Sequence, residues 1–229
     1  MELMQNINEV YDNIKKAAKV SGRSEEDITL IAVSKTKPIE MIIEARKCGI
    51  KTFGENKVQE VMDKFEHIED ASWHFIGKLQ KNKVKYIIDK VCLIHSLDSV
   101  SLAEEINKRA EKKGIVANAL IQINIGNEET KSGIQKEDLD SFINNLKEFR
   151  NIKICGLMAI PPICSSEEAR SYFKEMKKLF DHLKGFEDDS MKMEYLSMGM
   201  TGDYEVAIEE GSNMVRVGTG IFGQRDYLK

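Results

Sequence analysis

The fold is decided by the stretch Ile28-Thr29-Leu30-Ile31-Ala32-Val33-Ser34-Lys35, which is apolar over most of its length and bounded by polar residues. A short apolar run of this kind predicts a buried strand. Thr36-Lys37-Pro38 follow it, and apolar residues at helical spacing then extend over about residues 39–47. The stretch therefore predicts a strand, a short connection and a helix, which together form one structural unit.

The same unit recurs along the chain, and eight predicted strands alternate with helical segments. The predicted strands cover residues 28–35, 50–53, 73–76, 91–95, 116–125, 152–158, 193–196 and 214–217. Strict alternation with short connections favours a parallel sheet joined by right-handed crossovers. Eight units close most naturally into a single (β/α)8 barrel of the TIM type. An open doubly wound sheet is the competing architecture, and it is less favoured because no GxGxxG motif follows the first strand.

An additional helix is predicted before the first strand. Apolar residues recur there at helical spacing, at Leu3, Ile7, Val10, Ile14, Ala17 and Ala18. We expect residues 1–22 to pack on the barrel, covering its bottom rather than joining a partner molecule. No linker-like or low-complexity segment interrupts the sequence, so we expect one domain over residues 1–229.

The composition excludes some classes of function. The 229 residues carry a formal net charge of −4, with 31% charged and 41% hydrophobic residues, as an ordinary globular protein does. This balance argues against a nucleic-acid binder, which would carry a basic patch. Four cysteines occur without a CxxC pair and are expected to be buried, reduced thiols. No signal peptide or membrane-spanning apolar run is found, so no membrane association is expected and the cytoplasm is the expected location.

Functional residues of a (β/α)8 barrel collect at the C-terminal ends of its strands. Lys35, at the end of the first predicted strand, permits two interpretations. It is either a lysine that extends its ammonium group to solvent, or an amine that attacks a carbonyl and forms a Schiff base. The strand considered alone favours the first interpretation.

The loops after the seventh and eighth strands are rich in glycine and hydroxyl groups. They are Ser197-Met198-Gly199-Met200-Thr201-Gly202-Asp203 and Gly218-Thr219-Gly220. Glycine lets backbone N–H groups approach a phosphate, and hydroxyl side chains complete such a site, although a helix cap and a plain loop are the alternatives. Arg216 either points into the barrel mouth or forms a salt bridge at its rim. Together with Lys35, these features suit a ligand with an aldehyde and a phosphate, such as pyridoxal 5′-phosphate (PLP).

Longer motifs occur in order along nearly the whole chain. They are Ala32-Val33-Ser34-Lys35-Thr36-Lys37, Phe53-Gly54-Glu55-Asn56-Lys57-Val58-Gln59-Glu60, Trp73-His74-Phe75-Ile76-Gly77-Lys78-Leu79-Gln80-Lys81-Asn82-Lys83, Gly156-Leu157-Met158, Leu196-Ser197-Met198-Gly199-Met200 and Val215-Arg216-Val217-Gly218-Thr219-Gly220-Ile221-Phe222-Gly223. In these motifs the chain resembles the pyridoxal phosphate homeostasis protein family. The resemblance implies a barrel like the N-terminal domain of alanine racemase, with PLP held as a Schiff base.

The resemblance also implies a role for each candidate residue. Lys35 would hold the aldehyde, Arg216 would face the pyridine nitrogen, and Asn56 would lie near the ring. The implied phosphate contacts come from Ser197, Thr201, Gly218 and Thr219, with backbone from Gly199. Thr201 stands where the family commonly has serine and keeps the hydroxyl group.

An arginine at the pyridine nitrogen cannot accept the ring proton, so the ring should be a weak electron sink. Alanine racemase also uses a second domain, for which we expect no residues here. The favoured interpretation is a monomeric protein without catalytic residues that carries or buffers PLP in vitamin B6 homeostasis, with PLP-dependent apo-enzymes as possible recipients. A PLP-dependent amino-acid racemase and, less favoured, a Schiff-base aldolase without cofactor are the alternatives.

Two other sets of polar residues are not assigned to the site. His74 and His95 lack a cysteine or carboxylate at ligand spacing, so they are expected to be core or rim histidines and no metal site is predicted. Lys131 is expected to be a solvated loop lysine, with a contact to the ligand as the alternative.

Overall fold

The computed structural model describes residues 2–68 and 70–224, and it forms a closed barrel of eight parallel strands. The strands follow one another around the barrel in chain order, and the last one pairs with the first. Their bounds are β1 Thr29–Val33, β2 Thr52–Glu55, β3 Ser72–Phe75, β4 Leu93–Leu97, β5 Ala117–Ile123, β6 Ile152–Ala159, β7 Met191–Met200 and β8 Met214–Val217. The predicted (β/α)8 barrel is confirmed.

Helices surround the barrel, and local signals set several of their ends. Their bounds are α1 Glu2–Val20, α2 Ile39–Lys47, α3 Val58–Phe65, α4 Val84–Ile87, α5 Val100–Lys113, α6 Leu139–Leu146, α7 Ser166–Leu183, α8 Tyr204–Glu209 and α9 Thr219–Phe222. The Ser99 side chain accepts the Leu102 N–H at the start of α5, and Gly114 ends that helix with φ 65°. Ser165 and Glu168 form a reciprocal capping box at the start of α7.

Most strand ends differ from the prediction by one or more residues, and two of these differences bear on the site. β1 stops at Val33, so Lys35 lies in the loop that follows it. β7 extends to Met200, so Ser197 and Gly199 lie within the strand rather than in a loop. The pairing of β7 with β8 shifts register between Ser197 and Met200, and Gly199 has φ 92°. Such an irregularity interrupts the two-residue alternation, which is why the pattern alone did not reveal the full strand.

The barrel interior has an apolar floor and a polar upper layer. The floor consists of Ile31, Leu93, Leu120, Cys155, Met158 and Met214, with Tyr195 packed against it. Residues two positions apart on a strand share a face. His95 therefore follows Leu93 inward, Ser197 follows Tyr195, and Arg216 follows Met214, all toward the C-terminal mouth. The strand period thus brings polar groups from three strands to the base of the mouth.

The N-terminal helix lies on the side of the barrel, so the expectation that it covers the bottom is wrong. Apolar residues of α1 pack in one core with outward-facing residues of β1 and β8 and with Ile208 and Ile221. The Asn6 side-chain amide donates a hydrogen bond to the Ile221 carbonyl at 3.1 Å. The reason is that α9 has only four residues and is too short to cover β8 and β1. The helix α1 supplies that apolar cover.

Other expectations concern cysteines, membranes and metals. All four cysteines are free, but only Cys155 is buried, whereas Cys92 and Cys164 are exposed and correct the expectation of buried thiols. Both exposed cysteines lie in connections outside the regular elements. No described helix is long and apolar enough to cross a membrane. Within residues 2–68 and 70–224, no cluster of three or more His, Cys, Asp or Glu side chains is placed to hold a metal ion.

Candidate functional site

A cavity of about 280 Å³ opens at the C-terminal mouth of the barrel. It is close to the lower end of the range for small-molecule sites. Six of the eight residues predicted for the site line it, namely Lys35, Asn56, Thr201, Arg216, Gly218 and Thr219. These residues come from the ends of β1, β2, β7 and β8, so closure of the barrel brings distant parts of the chain together.

Lys35 enters this cavity from the loop after β1 and is half-buried. The preceding Ser34 is fully buried, whereas the following Thr36 is exposed and has φ 63°. A β-branched residue seldom adopts this left-handed conformation. The backbone beside Lys35 is therefore held in an unusual geometry at the point where the side chain enters the cavity.

The two glycine-rich segments meet on the opposite wall of the cavity. The Thr201 hydroxyl oxygen accepts the N–H groups of Gly218 and Gly220 at 3.3 and 3.4 Å. A hydroxyl that accepts two hydrogen bonds keeps its own hydrogen to donate. Thr201 therefore joins the ends of β7 and β8 and retains a donor that suits an anionic ligand.

Gly199 and Ser197, the other two predicted residues, do not line the cavity among the described residues. At Gly199, a Cβ atom would lie 2.6 Å from the Ala207 Cβ and 2.9 Å from the Tyr204 Cα. Glycine at this position thus lets α8 pack against β7. The Ser197 side chain is fully buried and contacts Arg216. Their phosphate contacts stay predictions, because the structure gives each residue a different set of neighbours.

Arg216 is almost fully buried at the base of the cavity. Its Nη1 donates to the carbonyl and hydroxyl oxygens of Ser197 at 2.9 and 2.7 Å, and Nη2 donates to the Ala159 carbonyl at 2.9 Å. No described carboxylate forms a salt bridge with it, so of the two predicted roles the structure favours the one inside the mouth. Burial lowers the pKa of Arg216 to about 10, with Asp203 opposing part of the shift. The guanidinium therefore stays charged at neutral pH.

Two buried histidines continue from Arg216 into the barrel. The Ser197 hydroxyl lies 3.1 Å from His95 Nδ1, and His95 Nε2 lies 2.9 Å from His74 Nδ1. Burial lowers the pKa of His74 to about 4. Burial, followed by the charges of His74 and Arg216, holds the pKa of His95 well below its ordinary value. Both rings are therefore neutral at neutral pH.

The hydrogen bonds of this set can be assigned one direction, with the tautomers of both histidines chosen to fit it. Arginine only donates, so the Ser197 oxygen accepts from Arg216, and we assign the Ser197 hydrogen to His95 Nδ1, its other described partner. His95 then carries its hydrogen on Nε2 and donates it to His74 Nδ1. We call Arg216, Ser197, His95 and His74 the inner chain. The sequence predicted core or rim histidines, and the structure buries both. The prediction did not include their link to Arg216, which the shared inward register of β3, β4, β7 and β8 could have indicated.

Asn56 presents an unsatisfied acceptor beside the cavity. Its side-chain oxygen is buried and has no hydrogen-bond partner among residues 2–68 and 70–224, which is costly unless a ligand supplies a donor. A Cβ on Gly77 would lie only 2.2 Å from the Asn56 carbonyl oxygen, so the third motif packs closely over this residue. Asn56 also borders a second cavity of about 270 Å³, whose wall includes Lys131. Lys131 is exposed, as predicted, and faces this neighbouring space.

The residues of the main cavity fit a phosphorylated aldehyde. Lys35 supplies an amine, Arg216 a buried positive charge and Thr201 a donor hydroxyl, while no described Asp or Glu lines the wall. The unsatisfied oxygen of Asn56 can accept a donor of the ligand. This donor set matches the groups that PLP carries.

Comparison with known proteins agrees with this arrangement. A family model described as the alanine racemase N-terminal domain matches residues 5–226. A pyridoxal phosphate homeostasis protein of Aquifex aeolicus is 46% identical over 230 residues, covering 99% of this chain and 100% of that protein. The chain belongs to the pyridoxal phosphate homeostasis protein family. The resemblance predicted from the motifs is thereby confirmed.

A second relative of that name and one solved structure extend the comparison. The Escherichia coli K12 protein of that name is 41% identical and covers 100% of this chain and 99% of its own length. PipY of Synechococcus elongatus, solved with PLP bound, is 32% identical, with a TM-score of 0.79 over 92% of this chain and 100% of PipY. The likeness to these relatives therefore extends over the whole barrel.

Proposed function

We propose that this protein binds PLP at the barrel mouth, tethers it through Lys35 and carries or buffers it without robust catalysis. The observation that carries the proposal is the convergence of Lys35, Arg216 and Thr201 on one cavity. PipY, which is similar to this chain in sequence and fold, has been solved with PLP bound, which supports the assignment of the ligand.

Each residue contributes one interaction to the proposed site. PLP supplies an aldehyde carbon that a primary amine can attack. Lys35 Nζ forms the new C=N bond of a Schiff base, and the carbonyl oxygen leaves as water together with the two amine hydrogens. Thr201, Gly218 and Thr219 bind the phosphate, with Ser197 and Gly199 as the further predicted contacts. Asn56 lies beside the ring.

Arg216 is expected to limit the chemistry of the bound cofactor. Its guanidinium donates hydrogen bonds and cannot remove a proton, so at the pyridine nitrogen it favours the unprotonated ring. Among the described residues that line the cavity, Lys35 is the only one with a group suited to proton transfer near neutral pH. A racemase needs acid–base groups on both faces of its substrate carbon, so the observed lining supports a carrier.

The test is to mix the purified apoprotein with PLP and record its absorption spectrum. We expect a yellow complex, and borohydride reduction should fix the cofactor on the peptide that contains Lys35. Lys35→Ala should abolish both signals, whereas Lys51→Ala, an exposed lysine before β2, should keep them. Equal binding with the same absorbance by wild type and Lys35→Ala would overturn the assignment of Lys35.

A second experiment separates the carrier from the alternatives. The loaded protein is incubated with single L- and D-amino acids, and racemisation is followed by chiral chromatography. Turnover at an ordinary enzymatic rate would favour the racemase and contradict the carrier. A colourless protein that cleaves a phosphorylated sugar would favour the aldolase. Transfer to PLP-dependent apo-enzymes, a monomeric state, a cytoplasmic location and a single domain over residues 1–229 stay predictions from the sequence.

A further inference from the structure

A buried charged cluster lies outside the barrel, directly behind Lys35. Lys64, on α3, is only 7% exposed, and its Nζ contacts Glu55 Oε1 at 2.8 Å and Glu60 Oε2 at 2.9 Å. Lys64 Nζ also donates to the Ser34 carbonyl at 2.9 Å. We call Ser34, Glu55, Glu60 and Lys64 the outer cluster. The proposed function assigns no role to any of its four members.

The outer cluster holds the backbone on both sides of Lys35. Before it, the Ser34 carbonyl accepts a hydrogen bond from Lys64. After it, the Thr36 N–H donates to Glu60 Oε2 at 2.6 Å. Glu60 and Lys64 are themselves paired, so one ion pair connects both anchoring points. Lys35 is the single residue between these two points.

Thr36 explains why such anchoring is needed. Its φ of 63° is unfavourable for a β-branched residue, and strain of this kind persists only where neighbouring groups hold it. Three contacts hold it here. The Thr36 N–H donates to Glu60 Oε2, the Thr36 hydroxyl donates to the Lys35 carbonyl at 2.6 Å, and the Lys37 N–H donates to the Ser34 carbonyl at 3.0 Å. Of these, the contact with Glu60 is the one that reaches outside the turn. Lys35 lines the cavity, whereas Thr36, the left-handed residue after it, does not.

A second link ties β1 to β2 at the same level. The Ser34 hydroxyl donates to Glu55 Oε1 at 2.6 Å, between strands whose residues Val33 and Gly54 are paired. The side chains of Ser34 and Glu55 are thus hydrogen-bonded to each other on the outer side of the barrel. Lys35 and Asn56, the residues that follow them, line the cavity.

The charges of the outer cluster suit a fixed structural role. Lys64 donates to three oxygen atoms, which uses the full donor capacity of an ammonium group. Burial opposes ionisation of Glu60, but hydrogen bonds from Lys64 and Thr36 outweigh it and lower the pKa of Glu60. The charged form of Glu60, which accepts from Thr36, is therefore the favoured one at neutral pH.

We infer that Glu60 and Lys64 are positioning residues that fix the backbone around Lys35 and thereby direct its amine at the ligand aldehyde. The inference rests on the proposed function, in which Lys35 is the tether. Glu60 and Lys64 act through Lys35 and are not expected to touch the ligand.

The decisive experiment compares Glu60→Ala with Glu60→Gln in the full chain. Glutamine keeps an oxygen that can accept the Thr36 N–H, whereas alanine removes it. Stopped-flow absorbance measures the rate at which the apoprotein forms the Lys35 adduct with PLP. We expect Glu60→Ala to slow this rate by about tenfold to a hundredfold, because small misplacements of reacting groups have effects of that order, and Glu60→Gln to retain most of it. Glu175→Ala, which removes an exposed ion pair with Lys136, is the matched control and should leave the rate unchanged.

A second readout uses the apoprotein and needs no ligand. Amide hydrogen exchange by NMR should show that the Thr36 N–H is protected in wild type and in Glu60→Gln, and exposed in Glu60→Ala. Unchanged protection together with an unchanged adduct rate in Glu60→Ala would overturn the inference. If wild type formed no adduct at Lys35, the proposed function would fail, while the exchange data would still decide whether Glu60 holds Thr36.

Lys64→Met provides an independent variant, provided that a thermal melt shows it to be folded. It should slow adduct formation at least as much as Glu60→Ala, since both anchoring points depend on Lys64. A folded Lys64→Met protein with the wild-type rate would contradict the role of Lys64. If Lys64→Met does not fold, the comparison of the two Glu60 variants decides the inference.

Discussion

Two polar sets end at the barrel mouth, and they are built in opposite ways. The inner chain lies inside the barrel and leads to Arg216, whereas the outer cluster lies between the strand ends and α3 and flanks Lys35. In the inner chain only Arg216 is charged, and order comes from the direction of successive hydrogen bonds. In the outer cluster order comes from a buried lysine between two carboxylates.

The difference follows from what each location can accommodate. The floor of the barrel interior is apolar, so the two histidines above it are kept neutral by the cost of burying charge. The outer face is covered by α3, which brings Lys64 to the carboxylates and offsets part of the cost of their burial. The two sets therefore respond differently to mutation and to pH, and four measurements can test this contrast.

The largest effect is expected from Lys64→Met. It leaves the buried carboxylate of Glu55 and the half-buried carboxylate of Glu60 without their cation. Breaking a buried ion pair from one side typically costs about 3–5 kcal/mol. Urea denaturation should show this loss in the free energy of unfolding. Lys136→Met, which breaks an exposed pair with Glu175, should cost less than about 1 kcal/mol. Equal losses in the two variants would remove the distinction between the outer cluster and an ordinary surface pair.

The next effect is a pH dependence of opposite sign at two residues, His74 of the inner chain and Glu55 of the outer cluster. His74 has its pKa lowered to about 4, so between about pH 6.5 and 4 the unfolded chain binds more protons and stability falls as the pH falls. Burial raises the pKa of Glu55 to about 7 despite Lys64, so the folded chain binds more protons between about pH 4.5 and 7 and stability falls as the pH rises. Each contribution reaches at most about 3.5 kcal/mol, since one pKa unit corresponds to about 1.4 kcal/mol.

These two contributions overlap and partly cancel in the wild type. Glu55→Gln should remove the contribution of Glu55. The free energy of unfolding of this variant should therefore rise more steeply with pH than that of wild type between pH 5 and 7. Denaturant titrations at several pH values measure both curves. Parallel curves for the two proteins would show that Glu55 does not titrate in this window.

A smaller loss is expected when the inner chain is cut in the middle. His95→Leu leaves the Ser197 hydroxyl without an acceptor and His74 Nδ1 without a donor, which should cost about 1–3 kcal/mol. His182→Leu, at an exposed position on α7, is the control and should change stability by less than about 0.5 kcal/mol. Arg216 would also be less firmly oriented, so the absorption spectrum of the PLP complex should shift in His95→Leu and not in His182→Leu. If His95→Leu lost the expected stability but left the spectrum of the PLP complex unchanged, the inner chain would have only a structural role.

The smallest effect is expected from Thr36→Gly. Glycine adopts a positive φ without strain but makes the unfolded chain more flexible, so the two contributions should nearly cancel to within about 1 kcal/mol. Chemical denaturation measures the net change. A loss well above that range would show that the threonine side chain itself, and not only the backbone conformation, stabilises this turn.

Much of the architecture was predictable because it depends on local patterns. Each apolar run followed by a helical spacing predicted one unit, and eight units predicted the barrel. Lys35, Asn56, Thr201, Arg216, Gly218 and Thr219 were predicted for the site because barrels collect function at strand ends, and the structure places all six on one cavity. The longer motifs predicted membership of the pyridoxal phosphate homeostasis protein family, which the relatives confirm.

The sequence by itself thus determined the barrel, its order of strands and most residues of its mouth, because period and spacing are properties of neighbouring residues. Only the tertiary structure decided that α1 covers β8 and β1, that an irregular β7 carries Ser197 and Gly199 behind the cavity wall, and that Lys64 anchors the backbone around Lys35. These features arise when residues far apart in the chain meet across the closed barrel. No local pattern records such contacts, and the cover that α1 gives to β8 and β1 also requires the last strand to pair with the first.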